Sequence, residues 1–416
     1  MLAVVCGLNT AWGQQLLLTN PDSLERMFEK YRFITILDGA GHQQSNSINN
    51  RMVNAFLRNS FIDDDLKNEQ NLQDENNLMG AGYHVGIMQF VSMKKLLGST
   101  RYGLVLSASF HQDLSVRFNR DLFNLTFYGN SNYAGQFADV SNTGFRFVST
   151  AQASMGFYEK RTMSYVTVGV IGGNQFIDLE TAQSGIYTAE DGSYIGANLD
   201  GRLIVSDTSG AANLKGVGGV INFEVNMPIR FASRPDKPSW LRVGGRNVGL
   251  MNWNEQTLHY RADSSYQYEG FLIDDLAGFN NIEDQLDNVV DSLLPGAERR
   301  NFLLTTPGWL YVSWFSPLGE KLYYDVTLRS RINAFHLPEA TVGLTYKSGA
   351  KWMAGANLTY GGYGSLNGMD GLRAGITGST MVGEHFMVQL ESTHVSGWFN
   401  GQARGRNLWL RLMMFF

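Results

Sequence analysis

Cysteine is all but missing: the 416 residues contain one, Cys6. A lone thiol excludes both a disulfide framework and a thiolate metal site. Long hydrophobic runs are missing too. A helical membrane protein needs stretches of about 20 apolar residues, and none occurs although hydrophobic content is 44%. Neither sign of charge dominates. With 33 Lys and Arg against 38 Asp and Glu, the net charge of −5 gives no electrostatic case for nucleic acid. Proline is scarce, at 8 residues, while glycine reaches 46 and Phe and Tyr reach 25 and 18. Many glycine- and aromatic-containing strands produce that profile, and a helical enzyme normally does not. A chain of this composition that lives in a membrane must cross it with strands.

What is present is a period of two. The final stretch NLWLRLMMFF places Leu408, Leu410, Leu412, Met414 and Phe416 in one row. Asn407, Trp409, Arg411, Met413 and Phe415 form the other. Successive side chains of a strand point to opposite faces, so the two rows meet different surroundings. The same alternation sets Val85 and Ile87 against His84 and Gly86, and Tyr102, Leu104 and Leu106 against Gly103, Val105 and Ser107. It recurs with Ile221, Phe223, Val225 and Met227 against Asn222, Glu224 and Asn226. Further on, Leu322, Tyr324, Val326 and Leu328 oppose Asp325, Thr327, Arg329 and Arg331, and Phe386, Val388 and Leu390 oppose Gln389 and Glu391. So many alternating segments argue for an all-β chain.

Two features favour a membrane barrel over a soluble sandwich. The polar rows mix glycine, tyrosine and both signs of charge, unlike a solvated face. Connections in the C-terminal half also alternate in length. Short links at Ser316–Lys321, Lys347–Lys351 and Val382–His385 interleave with longer ones at Gly361–Gly371 and Gly397–Gly405. Short turns at one rim and long loops at the other are the pattern of an outer-membrane barrel. Trp240, Trp253, Trp352 and Trp398 fall near strand ends, where an interfacial belt is expected. A strand in hydrocarbon must satisfy its backbone through neighbours, so the sheet must close on itself. The expected fold class is therefore all-β: a transmembrane antiparallel β-barrel in the outer membrane.

The opening MLAVVCGLNTAWGQQ has an apolar stretch, Leu2 to Val5, and a small-x-small site, Ala11-Trp12-Gly13. It reads as a signal peptide over residues 1–13, although it lacks a basic leader, and a native N-terminal strand is the alternative. Cys6 is a poor lipid acceptor because Val5 precedes it. Residues 14–416 then form one barrel domain, with 14–30 at or in its mouth and a helical loop at 269–302. In that loop Leu276, Phe279, Ile282, Leu286, Val290 and Leu293 mark an amphipathic helix over 274–293. Counting strands back from a periplasmic C-terminus places this helix outside the cell, and a count different by one strand places it on the other side. Leu24, Met27, Phe28 and Tyr31 suggest a shorter helix leading into a first strand near Tyr31. Between Gly41 and Met79 the chain is long and polar; Asp63, Asp64, Asp65 and Glu69 invite a calcium reading. The spacing is not that of an EF-hand, and a solvated acidic loop at 59–77 is preferred.

Chemistry of other kinds finds little support. The seven histidines are scattered, with no H-E-x-x-H pair and no G-x-S-x-G elbow. Glu391, Ser392, Thr393 and His394 are adjacent in sequence, but neighbours on a strand diverge. No catalytic residue, metal site or cofactor is expected. Assigning the apolar rows to lipid leaves His84, Arg146, Glu224, Arg242, Asp325, Arg329, Arg331, Arg373, Glu391 and Arg411 facing the lumen. They either line a path or bind an anionic group, or they neutralise one another in a crosslinked interior. Six arginines against three carboxylates leave room for an anion.

The signal-like start, the glycine and aromatic strands, the segment WLRVGGRNVGLMNW (Trp240–Trp253) and the terminal Phe416 together resemble the FadL-related barrels of the Bacteroidota, including the PorV type. The row Leu408, Leu410, Leu412, Met414 and Phe416 also resembles the insertion signature of bacterial outer-membrane barrels. The resemblance implies about 14 strands, within roughly 12–16, and N-terminal residues near or within the lumen. FadL-type relatives pass hydrophobic molecules through a lateral opening, and PorV-type relatives dock with the type IX secretion machinery. The implied role is passive transport of small apolar or amphipathic solutes. The alternative is a non-conducting accessory barrel in an envelope or type IX secretion complex. Expected partners are outer-membrane lipid, the barrel-insertion machinery and envelope proteins, but not nucleic acid.

Overall fold

A computed structural model describes residues 30–206, 214–232, 234–268, 296–348, 352–364 and 371–416. Fourteen antiparallel strands form one closed barrel. In chain order they are β1 (Phe33–Ser45), β2 (Asn77–Val91), β3 (Tyr102–Phe118), β4 (Gly144–Glu159), β5 (Tyr165–Thr181), β6 (Gly216–Phe231) and β7 (Arg234–Trp253). There follow β8 (Trp309–Pro317), β9 (Leu322–Arg331), β10 (Glu339–Ser348), β11 (Trp352–Gly361), β12 (Arg373–Val382), β13 (Phe386–Ser392) and β14 (Gly405–Phe415). Each pairs with the next, and β14 returns to β1 from Ile34 opposite Phe415 to Gln44 opposite Gly405. Closure leaves no open edge, as hydrocarbon requires. The first strand begins at Phe33, two residues beyond the expected start near Tyr31. The expected signal peptide, the helix near the N-terminus and the 274–293 helix lie outside the described residues.

The outer face is an apolar belt. Every strand turns at least one large hydrophobic side chain outward, including Val85, Leu106, Met155, Val168, Leu328, Leu358 and Leu410. Water-soluble monomers rarely present so extended an apolar surface. Within β14, Leu408, Leu410, Leu412 and Met414 lie on this outer face, while Asn407, Trp409, Arg411, Met413 and Phe415 are buried inside.

Register slips break the alternation, one of them between Arg234 and Ser239 where β7 begins. In β5 the register against β4 slips between Ser149 and Thr150, and in β7 the register against β6 slips between Gly245 and Val248. An extra residue inverts the inward parity beyond it. Trp240 and Arg242 point inward before the β7 bulge, and Asn247, Met251 and Trp253 do so after it. This corrects the expected aromatic belt. Trp240 packs inside against Phe315 and Met353, and Trp253, fully buried, stacks on Phe176 at 5.2 Å. Trp352 and Trp398 are exposed.

Short turns gather at the rim that holds Phe416, which we call the turn end; the opposite rim is the loop end. There the β1–β2 connection is not a simple solvated loop. It contains helices α1 (Asn50–Leu57) and α2 (Asp64–Asn68). Asp63 caps α2 by accepting from the Leu66 amide at 2.8 Å, and Asp64 and Asp65 sit in its first turn, where the helix dipole favours acids. The acidic run is therefore explained by capping. Helix α3 (Arg120–Tyr128) is capped likewise by Asn119. Met52, Val53, Leu66, Phe118 and Phe123 join these helices in one apolar cluster. Asn50 ties the cap across the mouth by donating to the carbonyls of Gly397 and Gly405.

Candidate functional site

The barrel interior is layered. At the turn end Ile34, Phe90, Val105, Tyr158, Tyr165, Met387, Met413 and Phe415 pack into one apolar cluster. Phe90 and Tyr158 meet edge to face at 5.1 Å. At the loop end sits the helical cap. Charged side chains occupy the space between.

The ten charged residues singled out from sequence all have side chains inside the barrel, and the structure divides them into separate groups. Near the loop end Arg331 pairs with Asp113, and Glu339 takes both Arg329 and Arg373, the latter at 3.0 Å. The guanidiniums of Arg329 and Arg331 both lie over the Trp309 ring at 5.1 Å. Arg146 reaches Asp178 at 2.7 Å and Glu180 at 2.9 Å, which the β5 bulge turns inward. Lower down, Arg242 approaches Glu224 at 3.5 Å and donates to Asn226 at 2.9 Å, and Tyr311 also donates to Glu224. At the seam His84 Nε2 and Arg411 Nη2 face Asp38 Oδ2 at 3.4 and 3.8 Å. Asp325 and Glu391 stand apart, with no hydrogen-bonding partner among the described residues for any carboxylate oxygen.

Sequence reasoning missed Asp38, Asp113, Asp178 and Glu339. These carboxylates overturn the expected arginine excess, because most of the arginines are already matched. Asp113 was within reach, since it continues the Gly103, Val105, Ser107, Ser109 row of β3. Glu339 gave no such signal, because it opens its strand directly after Pro338. The Glu391–His394 run is not arranged for nucleophilic chemistry. The Ser392 hydroxyl donates to Asn407 Oδ1 at 3.1 Å, and that oxygen also receives the Thr393 and His394 amides.

Between the apolar floor and the charged layer lies a cavity with about 60 Å³ of room for water-sized occupants. Ile36, Met88, Phe90, Met163 and Met413 form one side of its lining, and Arg242, Arg246 and Arg411 with Asp38 and Glu224 form the other. Asp38, Met88, Tyr165 and Arg246 also border a second cavity, which reaches Asn247, Pro307 and Trp309. At that point the β7–β8 ladder is interrupted. Leu250 to Trp253 pair with Phe302–Thr305, Trp240 to Arg246 pair with β8, and Thr306, Pro307 and Gly308 lie between. Proline cannot donate to a ladder. One backbone bond, from the Thr306 amide to the Gly249 carbonyl at 3.0 Å, crosses the gap, and side chains add to it: Asn247 donates to the Pro307 carbonyl at 3.3 Å and Thr306 to the Asn247 carbonyl.

Closed strand pairing, an apolar exterior and a polar interior define a transmembrane β-barrel. A family of unknown function (DUF5723) matches residues 240–379, about a third of the chain, beginning at the Trp240 that opens the WLRVGGRNVGLMNW segment. No functionally curated protein matches the sequence. Similar solved structures include a Pseudomonas aeruginosa FadL homologue, at 12% identity over 97% of this chain and 96% of that one, with a TM-score of 0.42. The Ralstonia pickettii toluene transporter TbuX is 9% identical over 99% and 95%, with a TM-score of 0.40. The translocator domain of the Neisseria meningitidis autotransporter NalP is 8% identical over 96% and 95%, with a TM-score of 0.35. The barrel assignment rests on the strand pairing, not on these likenesses.

Proposed function

We propose that this chain is an outer-membrane barrel that passes a small apolar or amphipathic solute through internal chambers, without acting as an open pore. The observation that carries this reading is the two-sided chamber, methionine and aromatic on one side and guanidinium on the other. Soft methionine side chains adapt to varied apolar shapes. The arginines offer donors to a polar end. Apolar packing at the turn end and the helical cap at the loop end argue against free diffusion of hydrophilic solutes. The interrupted β7–β8 ladder beside Pro307, where the proline donates no backbone bond, is the proposed place for a lateral exit.

The test is entry of an apolar fluorescent dye, N-phenylnaphthylamine, into cells expressing the protein. Expression raises the entry rate, and filling the chamber with Met88→Trp and Met163→Trp removes the gain while the barrel still folds. Entry that ignores the filling, or liposomes that swell in arabinose at open-pore rates, contradicts the reading.

Occlusion at both ends also supports a second reading, a non-conducting accessory barrel within an envelope or type IX secretion complex. Phe56, Leu57 and Phe61 are exposed at the loop end, where a partner would dock. Co-purification of envelope proteins in mild detergent tests it, and a solitary barrel counts against it.

A further inference from the structure

On the inner wall formed by β9 to β13, polar side chains alternate with glycines in two neighbouring rows. In the first, Asp325 lies opposite Gly343, Gly343 opposite Asn357, and Asn357 opposite Gly375. In the second, Thr345 lies opposite Gly355, Gly355 opposite Thr377, and Thr377 opposite Glu391. Gln389 is two residues along β13 from Glu391. The glycines leave the space these side chains occupy. A Cβ at Gly355 would stand 2.5 Å from Thr345 Oγ1 and 3.0 Å from Thr377 Cγ2, and one at Gly375 would stand 2.3 Å from Asn357 Oδ1. The result is a glycine-floored trough lined with oxygen.

Every one of these side chains is buried, and among the described residues none of their polar atoms finds a hydrogen-bonding partner. Both carboxylate oxygens of Asp325 and Glu391, both amide atoms of Asn357 and Gln389, and the hydroxyls of Thr345 and Thr377 are unsatisfied. Asn357, Gln389, Thr345 and Thr377 are each under 5% exposed. Buried polar groups are nearly always bonded, and a buried charge without a counter-charge is strongly unfavourable. The cations on the same strands do not answer the need: Arg329 and Arg373 both bond Glu339, Arg331 pairs with Asp113, and Lys347 stands one step beyond Thr345, opposite Met353. With Glu339, Asp325 and Glu391 against Arg329 and Arg373, one negative charge remains. Arg411, opposite Gln389, faces Asp38.

The geometry points to a binding site for a hard cation in this trough, held by the Asp325 and Glu391 carboxylates and by the amide and hydroxyl oxygens of Asn357, Gln389, Thr345 and Thr377. The donor set is oxygen alone, with no histidine, cysteine or methionine, which suits calcium or sodium and not zinc or copper. The bound ion supplies the missing counter-charge and ties β9 to β13. The site lies apart from the methionine and arginine chamber and does not depend on the transport reading.

The test uses the full chain refolded in detergent and freed of metal by chelation. Thermal unfolding is followed in choline chloride, then with calcium chloride or sodium chloride added, and radiolabelled calcium or sodium is measured by equilibrium dialysis. One of the two cations raises Tm by several degrees in a saturable manner, with about one ion bound per chain; which one does so identifies the occupant. The Asp325→Asn/Glu391→Gln double variant loses that shift, and its Tm in choline chloride is at least that of the unaltered protein, because it no longer buries unbalanced charge. Should that variant fail to fold, Thr377→Val removes one donor at constant shape and weakens binding several-fold. Asp64→Asn, in the surface helix α2, keeps the full shift. A protein indifferent to both cations, or a shift that survives in Asp325→Asn/Glu391→Gln, overturns the proposal.

Discussion

Asp38 on β1 and Arg411 on β14 stand directly opposite each other across the seam that closes the barrel, with Oδ2 and Nη2 3.8 Å apart. The first and last strands therefore share a buried charge pair as well as a hydrogen-bond ladder, and His84 reaches the same carboxylate at 3.4 Å. Removing one member of such a group leaves the other charge buried alone, which costs about 3–5 kcal/mol. Asp38→Asn is expected to lower the urea midpoint of barrel unfolding accordingly. Glu384→Gln, which breaks the exposed pair with Lys30, is expected to leave the midpoint unchanged.

The β7 bulge holds Asn247 at a φ of 53°. Asparagine tolerates this left-handed conformation and a β-branched residue does not. Asn247→Val is expected to cost about 1–3 kcal/mol, and Asn247→Gly less, since glycine adopts the backbone freely and loses only the bond to Pro307. Equal losses in chemical denaturation would show that strain at the bulge is not what matters.

Tryptophan placement gives an optical test. In liposomes containing brominated lipid, the fluorescence of Trp352, outward and exposed, is expected to be quenched. Trp240 and Trp253, inside the wall, are expected to be shielded. Variants that retain one tryptophan each separate the three signals.

Burial pushes the His394 imidazole down to about 4, and Arg373 nearby acts in the same direction. The unfolded chain takes up this proton below about pH 6.5, and the folded protein only near 4. Between those values the unfolded state binds more protons, so stability falls as pH falls. His394→Gln is expected to flatten the part of the pH dependence between about 6.5 and 4 that this residue contributes, read as the difference between the two proteins' unfolding midpoints.

We further expect the outward row Leu408, Leu410, Leu412, Met414 and Phe416 to serve as the insertion signal. The Phe33 and Phe416 backbones already bond each other, at 2.8 and 2.9 Å, so a side-chain change there spares the ladder. Phe416→Asp is expected to slow assembly into membranes several-fold, followed as the appearance of the heat-modifiable form, while the barrels that do form unfold as before. Unchanged assembly kinetics would remove that role.

Strand existence was legible because lipid and lumen impose opposite demands on alternate residues, as in Ile221–Met227 and Leu322–Arg331. What defeated the reading was whatever broke strict alternation or joined distant strands. Trp253 looked like a belt residue because a bulge near Asn247, invisible to a period-two count, turns it inward, whereas Trp240 shares the inward row of Arg242. Helix α1 shows its period only in Met52, Val53, Phe56 and Leu57, within about two turns, and α2 is too short to display one, so its Asp63 cap reads equally well as part of an acidic loop. The interior charges were identifiable from their rows, but their partners were not. Arg331 meets Asp113 from across the barrel, and Arg329 and Arg373 converge on Glu339 from different strands.

The most direct test of the barrel itself is accessibility along β14. Single spin labels at successive positions from Asn407 to Met414, in protein reconstituted into liposomes, report collisions with membrane-dissolved oxygen and with a water-soluble nickel chelate. A transmembrane barrel predicts a two-residue rhythm, with labels at Leu408, Leu410, Leu412 and Met414 open to oxygen and those at Asn407, Trp409, Arg411 and Met413 closed to it. Labels on both rows that meet the nickel chelate equally, with no rhythm in oxygen, would contradict the account.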